Sequence, residues 1–201
     1  MMKSAAYSLS LGLILGLGLS GCTTTVQYGD ANGVETVNTD FGSTDLQLIA
    51  SHEVDSLLAF PPVQRMTANG IRPILFVDHV RNKTMEHIDT ESITDTIMTK
   101  LLRSGQFRFV DMTAASALRK QLDYQHNSGM VDQARAVSMG QQIGAQYMLY
   151  GEMSDITKQN SSTRDVFYKF TLKLTDVRTG EVIWEDEKQI RKVQKKSYFG
   201  M

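Results

Sequence analysis

The apolar residues of this chain follow the helical period in two stretches. Between residues 44 and 60 they are Leu46, Ile49, Ala50, Val54, Leu57 and Leu58. Between residues 90 and 104 they are Ile93, Ile97, Met98, Leu101 and Leu102. Because positions three and four apart share one helix face, both stretches predict amphipathic helices. Pro61 predicts the end of the first helix near Phe60, and Gly105 the end of the second.

Three further stretches are typical of strands: PILFVDHV (73–80), FRFVD (107–111) and AQYMLYGEM (145–153). The first two flank the second helix, within about 40 residues, which predicts a right-handed parallel crossover. Two more helices are predicted at residues 114–124 and 132–143, joined by HNSGMVD.

Residues 166–177 alternate between apolar and polar positions, as a strand with one wet face does. The apolar face is Tyr168, Phe170, Leu172 and Leu174, and the polar face is Lys169, Thr171, Lys173 and Thr175. A three-residue turn, Arg178–Gly180, with Gly180 in a left-handed bulge position, would set Leu174 opposite Trp184 and Lys173 opposite Glu185. A two-residue turn would mix the faces, so the bulged register is predicted.

Together these elements predict an α+β domain over residues 44–193. Its mixed sheet of four to five strands would combine a parallel pair with an antiparallel meander, with helices packed mainly on one face. Residues 22–43 are polar and non-periodic and predict a flexible tether. Residues 194–201 form a basic tail, and RKVQKK (191–196) is either a solvated segment or a contact for anionic lipid or an acidic partner.

The first 21 residues have the pattern of a secretory signal peptide. Between Lys3 and Cys22 the chain has 18 uncharged residues, short and glycine-rich for a spanning helix. LSGC (19–22) resembles the bacterial lipobox, which implies diacylglycerol on Cys22, cleavage after Gly21 and acylation of the new N-terminus. Thr23, rather than Asp, implies the outer membrane, with the domain facing the periplasm. The alternative is an ordinary signal peptide or uncleaved anchor with an incidental cysteine.

Composition narrows the function further. The chain has 201 residues, a net charge of -1 and one cysteine, so neither a nucleic-acid partner nor a disulfide is expected. A periplasmic location argues against ATP chemistry and cytosolic cofactors. No G-x-S-x-G, P-loop or H-E-x-x-H motif occurs, and the four histidines (His52, His79, His87, His126) lack metal-ligand spacing. We therefore expect a non-enzymatic binding protein, a monomer without catalytic residue, metal, cofactor or small-molecule substrate.

Four segments, PILFVDHVRNKT, SGQFRFVD, IGAQYMLYGEM and TGEVIWE, occur in this order behind the lipobox. Over residues 46–190 they resemble the LpoB family, outer-membrane lipoprotein activators of class A penicillin-binding proteins. The resemblance implies docking on an accessory domain of a bifunctional peptidoglycan synthase. GAQYMLYGE is also similar to the curli-secretion lipoprotein CsgG, so an assembly or secretion lipoprotein is the alternative.

The RNKT loop matches the corresponding loop of the LpoB family, which makes Arg81, Asn82 and Lys83 candidates for partner binding. Tyr150 and Arg178 are further candidates, and Trp184 is assigned to the core. Well-known members of the family carry a long proline-rich tether, whereas residues 23–43 of this chain contain no proline.

Overall fold

The computed structural model describes residues 26–111, 114 and 144–196. Residues 26–30 have no regular secondary structure, and a separate unit begins at Asn32. In the described part of that unit the helices are α1 (Ser43–Ala59), α2 (Pro61–Met66) and α3 (Thr90–Arg103), with a 3-10 turn at Ala68–Gly70. The strands are β1 (Ile74–Asn82), β2 (Arg108–Val110), β3 (Tyr147–Gln159), β4 (Thr163–Asp176) and β5 (Val182–Lys195). Apart from residue 114, the helices predicted at 114–124 and 132–143 lie outside the described residues.

These strands form one mixed sheet in the order β2-β1-β3-β4-β5. Strand β1 runs parallel to both of its neighbours, with Leu75 opposite Phe109 on β2 and opposite Tyr147 on β3. Strands β3, β4 and β5 form an antiparallel meander. The predicted α+β architecture is confirmed. The predicted parallel pair is extended to three strands because β3 lies beside β1.

Helices α1 and α3 pack against one face of the sheet, as predicted. Their buried side chains join those of the strands in a single apolar cluster. From the helices the cluster contains Ile49, Val54, Leu57, Ile93, Ile97 and Leu101, and from the strands Leu75, Leu149, Met153, Tyr168, Phe170, Leu172, Leu174 and Trp184. The opposite face, which we call the outer face, therefore carries the alternate residues of each strand.

The predicted helix ends are confirmed. Helix α1 stops at Ala59, and Phe60 before Pro61 is extended, with ψ 120°. Helix α3 begins after Asp89, whose Oδ1 accepts the backbone N–H groups of Glu91 and Ser92 at 3.1 and 3.2 Å. Gly105 follows the helix with φ 71°, the left-handed conformation expected of a residue that ends a helix.

The β4–β5 hairpin has the predicted register, with Leu174 opposite Trp184 and Lys173 opposite Glu185. The turn differs in detail, because it has four residues, 177–180, enclosed by the hydrogen bond from Asp176 N to Glu181 O at 2.9 Å. Asp176 Oδ1 accepts hydrogen bonds from the backbone N–H groups of Arg178 and Thr179 within this turn. Gly180 has φ 74°, in the left-handed region. The pairing register of β4 with β5 shifts between Leu174 and Thr175.

Residues 39–41, which the sequence assigns to the tether, contact the sheet. The ring of Phe41 meets Tyr168 edge-on with centroids 5.9 Å apart, and its N–H donates to Glu86 Oε2 at 3.0 Å. The carboxylate of Asp40 accepts a 2.7 Å hydrogen bond from Arg164. These contacts fix the point at which the chain enters the domain.

The side chains of Lys192 and Tyr168 complete this N-terminal clamp, which we define as residues 39–41 with their partners Glu86, Arg164, Tyr168 and Lys192. Lys192 Nζ donates to the carbonyl of Asp40 at 2.6 Å and to Asp45 Oδ2 at 2.9 Å. The buried Tyr168 hydroxyl lies 2.7 Å from Glu86 Oε1 and 3.0 Å from the carbonyl of Thr39. Burial, followed by the hydrogen bond to Glu86, raises the pKa of Tyr168.

Glu53 of α1 is an ionisable side chain placed in the core. Its exposure is 0%, and both carboxyl oxygens lack a hydrogen-bond partner. Burial, with a smaller contribution from Asp186, raises the pKa of Glu53 to about 8. The native protein therefore holds Glu53 protonated at neutral pH, whereas the unfolded chain releases that proton above its ordinary pKa.

Replacement of Glu53 by Gln is expected to stabilise the protein most at high pH. Between the two pKa values of Glu53 the native state binds one proton more than the unfolded state, so its contribution to stability falls as pH rises and levels off above about 8. In urea titrations, the E53Q gain in unfolding free energy should be larger at pH 8 than at pH 5 by about 3 kcal/mol. The exposed control D55N on the same helix should change stability by less than about 0.5 kcal/mol. Equal E53Q gains at both pH values would contradict the buried, protonated state.

Candidate docking site

The end of β1 places charged side chains on the outer face. Val80 lies opposite Gly151 and is buried at 3% exposure. The next residue, Arg81, lies opposite Glu152. Since successive strand residues point to opposite faces, Arg81 and Glu152 share the outer face. The register between β1 and β3 shifts between Val77 and Val80, and this irregularity sets which residues of β1 face outward.

Lys83 continues the same edge immediately after β1. Its N–H donates to the carbonyl of Met153 at 2.7 Å, which holds it beside β3. Its Nζ lies 2.5 Å from Glu152 Oε2, and half of the lysine side chain is exposed. The hydrogen bond from Lys83, followed by the charges of Lys83 and Arg81, holds the pKa of Glu152 below its usual value.

Tyr150 and Lys173 lie opposite each other on β3 and β4. Lys173 Nζ lies 3.0 Å from Glu185 Oε1 on β5, and this hydrogen bond raises the pKa of Lys173. Strand alternation places all three on the outer face. The outer-face cluster therefore consists of Arg81, Lys83, Tyr150, Glu152, Lys173 and Glu185.

Charge pairs continue along the outer face of β4 and β5. Lys169 lies 2.5 Å from Glu187, and Arg191 lies 2.5 Å from Asp165. Ion pairs at partly exposed positions contribute little to stability, so a partner can replace them at low cost. An alternating surface of this kind suits recognition of a complementary charged protein surface.

Asn82 is directed away from the cluster. Its side-chain amide donates to the carbonyl of Glu86 at 2.9 Å, and its Oδ1 accepts from the N–H and the hydroxyl of Thr84 at 2.9 and 2.8 Å. Asn82 thus orders residues 82–88 of the loop. Its predicted role in partner binding stays a prediction.

Arg178 is not brought to the cluster. It lies in the β4–β5 turn and donates its N–H to Asp176, which pairs with Tyr147. Tyr147 lies three residue steps along β3 from Tyr150, a cluster residue, or about 10 Å. Arg178 is therefore not part of the outer-face cluster. Its role in partner binding stays a prediction.

Three members of the cluster were not among the candidates predicted from the sequence: Glu152, Lys173 and Glu185. Lys173 and Glu185 could have been predicted from the sequence, because the predicted hairpin register already placed them opposite each other on the solvent-exposed face. Glu152 had a weaker signal, since its contact with Lys83 depends on the pairing of β1 with the distant β3.

Metal-binding clusters and membrane-spanning helices are absent from the described part of the chain. In residues 26–111, 114 and 144–196, no three His, Cys, Asp or Glu side chains lie close enough together to hold a metal ion. Over the same ranges, no helix has the length and apolarity needed to cross a membrane. His52 lies 3.5 Å from Asp186, and His126 falls outside the described ranges.

The fold and the site define an α+β domain whose outer face is rich in charged side chains. The sequence model of the LpoB family, described as peptidoglycan-synthase activator LpoB, matches residues 45–190. The chain belongs to the LpoB family. This match supports the activator family and does not support the curli-secretion alternative.

Named relatives agree with the family assignment. The chain is 30% identical over 123 residues to "Penicillin-binding protein activator LpoB" of Erwinia amylovora, covering 60% of this chain and 58% of the relative. It is 28% identical over 127 residues to the Escherichia coli K12 protein of the same name, covering 62% and 56%. The chain thus spans under two thirds of the length of these curated relatives. The solved LpoB C-terminal domain from Escherichia coli has 24% identity and a TM-score of 0.48, covering 73% of this chain and 98% of that domain.

A side chain at Gly151 is expected to disturb the site. A Cβ there would lie 2.2 Å from the backbone oxygen of Thr171, so β3 and β4 would have to move apart between the cluster residues Tyr150 and Glu152. We expect G151A to lower the unfolding free energy by about 2–3 kcal/mol, measured by urea titration. A Cβ at Gly29 would meet no atom within 4 Å, and G29A should change stability by less than about 0.5 kcal/mol. Matching values for the two variants would refute the close approach.

Proposed function

We propose that this chain is an outer-membrane lipoprotein, facing the periplasm, that binds and activates a bifunctional peptidoglycan synthase of the class A penicillin-binding protein type. The observation that carries the proposal is the family match over residues 45–190. The printed names of the relatives, penicillin-binding protein activators, support the same role. In this proposal the chain acts as a monomer, by contact, and the synthase supplies all of the chemistry.

The anchor in this proposal is Cys22. It is the only cysteine of the chain and follows Leu19, Ser20 and Gly21 in the lipobox order. One acyl chain holds a protein to a membrane only marginally, whereas two or more hold it stably. Diacylglycerol on the thiol, together with acylation of the new N-terminus, meets that requirement.

Activation by contact requires unequal binding to two states of the synthase. The domain must bind the active conformation more tightly than the resting one, and the ratio of the two affinities limits the stimulation. A tenfold rise in rate corresponds to about 1.4 kcal/mol of difference. The outer-face cluster can supply such a difference, because its cations leave Glu152 and Glu185 for partner carboxylates at low cost.

The first expected outcome is stimulation of the synthase. The lipidated chain, added in detergent to a class A penicillin-binding protein, should raise its rate of glycan polymerisation severalfold, measured with a fluorescent lipid-linked precursor. A control with heat-denatured chain should leave the rate unchanged. Binding without any change in rate would defeat the activator proposal.

The second expected outcome concerns the outer-face cluster. R81E/K83E replaces two cations by acids and should weaken synthase binding at least about tenfold, measured by interferometry, because complementary charges become like charges. The thermal midpoint should fall by less than about 4 °C, since exposed ion pairs stabilise little.

The matched control is R65E/R103E, which makes the same change of charge at two exposed positions in the last turns of α2 and α3. It should retain synthase affinity within about twofold. If R81E/K83E binds as tightly as this control, the docking surface lies elsewhere.

A further inference from the structure

One end of the sheet carries exposed positive charge, although Asp165 lies opposite one of its lysines, Lys158. At this distal end, where β3 turns into β4 and β5 finishes, three exposed lysines make no salt bridge within the described residues: Lys158, Lys195 and Lys196. The backbone holds them together, because Thr163 pairs with Lys195 and the N–H of Lys196 donates to the carbonyl of Ser162 at 2.8 Å. The other cations here are satisfied by Asp40, Asp45, Asp165 and Glu86.

Apolar side chains stand beside these lysines. Ile156 is 61% exposed and Val193 is 51% exposed. Ile156 lies opposite Phe167, which is half-buried, and Val193 lies opposite Asp165, two residues before Phe167. Alternation places all three apolar residues on the outer face of the distal end. Exposed apolar side chains bordered by lysines are the combination found in protein segments that rest on anionic membranes.

The N-terminal clamp brings the chain into the domain at this same end. Its partners Arg164 and Lys192 lie at the start of β4 and near the finish of β5. Glu35 is also held here, because its Oε2 accepts the N–H of Ser43 at 2.9 Å. The tether therefore leaves the domain at the end of the sheet that carries Lys195 and Lys196, and not at the end that carries the turn at residues 177–180.

The remaining tether is short. Because Glu35 is held on the domain, the free tether is residues 23–34, which as a relaxed coil would span about 17–21 Å and at most about 43 Å when fully extended. A domain held so closely by its distal end meets the membrane surface with that end at high effective concentration. Lysines near an anionic surface are attracted within about a Debye length of 10 Å.

We propose that the distal end rests on the anionic phospholipid surface of the membrane that holds Cys22, through Lys158, Lys195, Lys196 and the adjacent Ile156 and Val193. This inference rests on the anchoring of Cys22 proposed above and not on synthase activation. The contact fixes which end of the sheet faces the membrane. The outer-face cluster begins at Glu152, four residue steps along β3 from Ile156, or about 13 Å.

The test uses the lipidated chain in vesicles that contain an acceptor-labelled lipid. Because the thiol of Cys22 is consumed by the anchor, S161C or E181C supplies one thiol for a donor dye, at the distal end or near the β4–β5 turn. In vesicles with 30% phosphatidylglycerol, resonance energy transfer to the labelled lipid should be more efficient from a donor dye on the S161C variant than from one on the E181C variant. K195E/K196E should lower the S161C transfer to its value in neutral phosphatidylcholine vesicles, as should 0.5 M salt.

Controls separate the outcomes. R65E/R103E, with the same change of charge away from the distal end, should leave the energy transfer from S161C unchanged.

If the K195E/K196E variant keeps its full energy transfer while the chain stays on the vesicles, the surface contact is refuted and the anchor stands. If the chain leaves detergent-free vesicles, the anchor fails and the inference fails with it. Charge-sensitive binding to isolated peptidoglycan, or transfer between labelled copies, would assign the patch to the cell wall or to self-association and overturn the proposal. Synthase stimulation is measured separately.

Discussion

The two-residue period of β4 is the constraint on which the rest of the molecule depends. Tyr168, Phe170, Leu172 and Leu174 bury one face of this strand against α1 and α3, and alternation then sends Lys169 and Lys173 to the outer face. A slip of one residue would bury both lysines, so β3 and β5 must keep their register. The same register sets Lys173 opposite Glu185. The apolar core and the charged outer-face cluster thus both follow from one alternating pattern.

A second consequence concerns reach. The segment between Cys22 and the domain, which we propose to be a tether, is short and free of proline. The N-terminal clamp shortens its free length further by holding residues 39–41 on the domain. The proposed membrane contact orients the domain, because it fixes which end of the sheet faces the membrane. The synthase would then have to approach a domain whose outer face has a defined orientation.

Much of the fold could be predicted because its signals are local. The helix ends at Phe60 and Gly105 and the pairing of Leu174 with Trp184 follow from nearby sequence. The four-residue turn could not be predicted, because it depends on how Asp176 accepts two backbone N–H groups. Only part of the site could be predicted. Arg81, Lys83 and Tyr150 were candidates, but they lie close together only because β1 pairs with β3, which is about 70 residues further along the chain. The clamp left no periodic signal, since Asp40 and Arg164 are 124 residues apart.

The central claim is that the outer face, and not the helix-covered face, meets the synthase. The most direct measurement is the mapping of backbone amide chemical shifts of the isotope-labelled, lipidated chain in nanodiscs as the synthase is added. We expect the largest changes in chemical shift at residues 81–83, 150–152 and 173, and no change in α1 and α3. Shifts concentrated on α1 and α3, with the outer face silent, would contradict this claim.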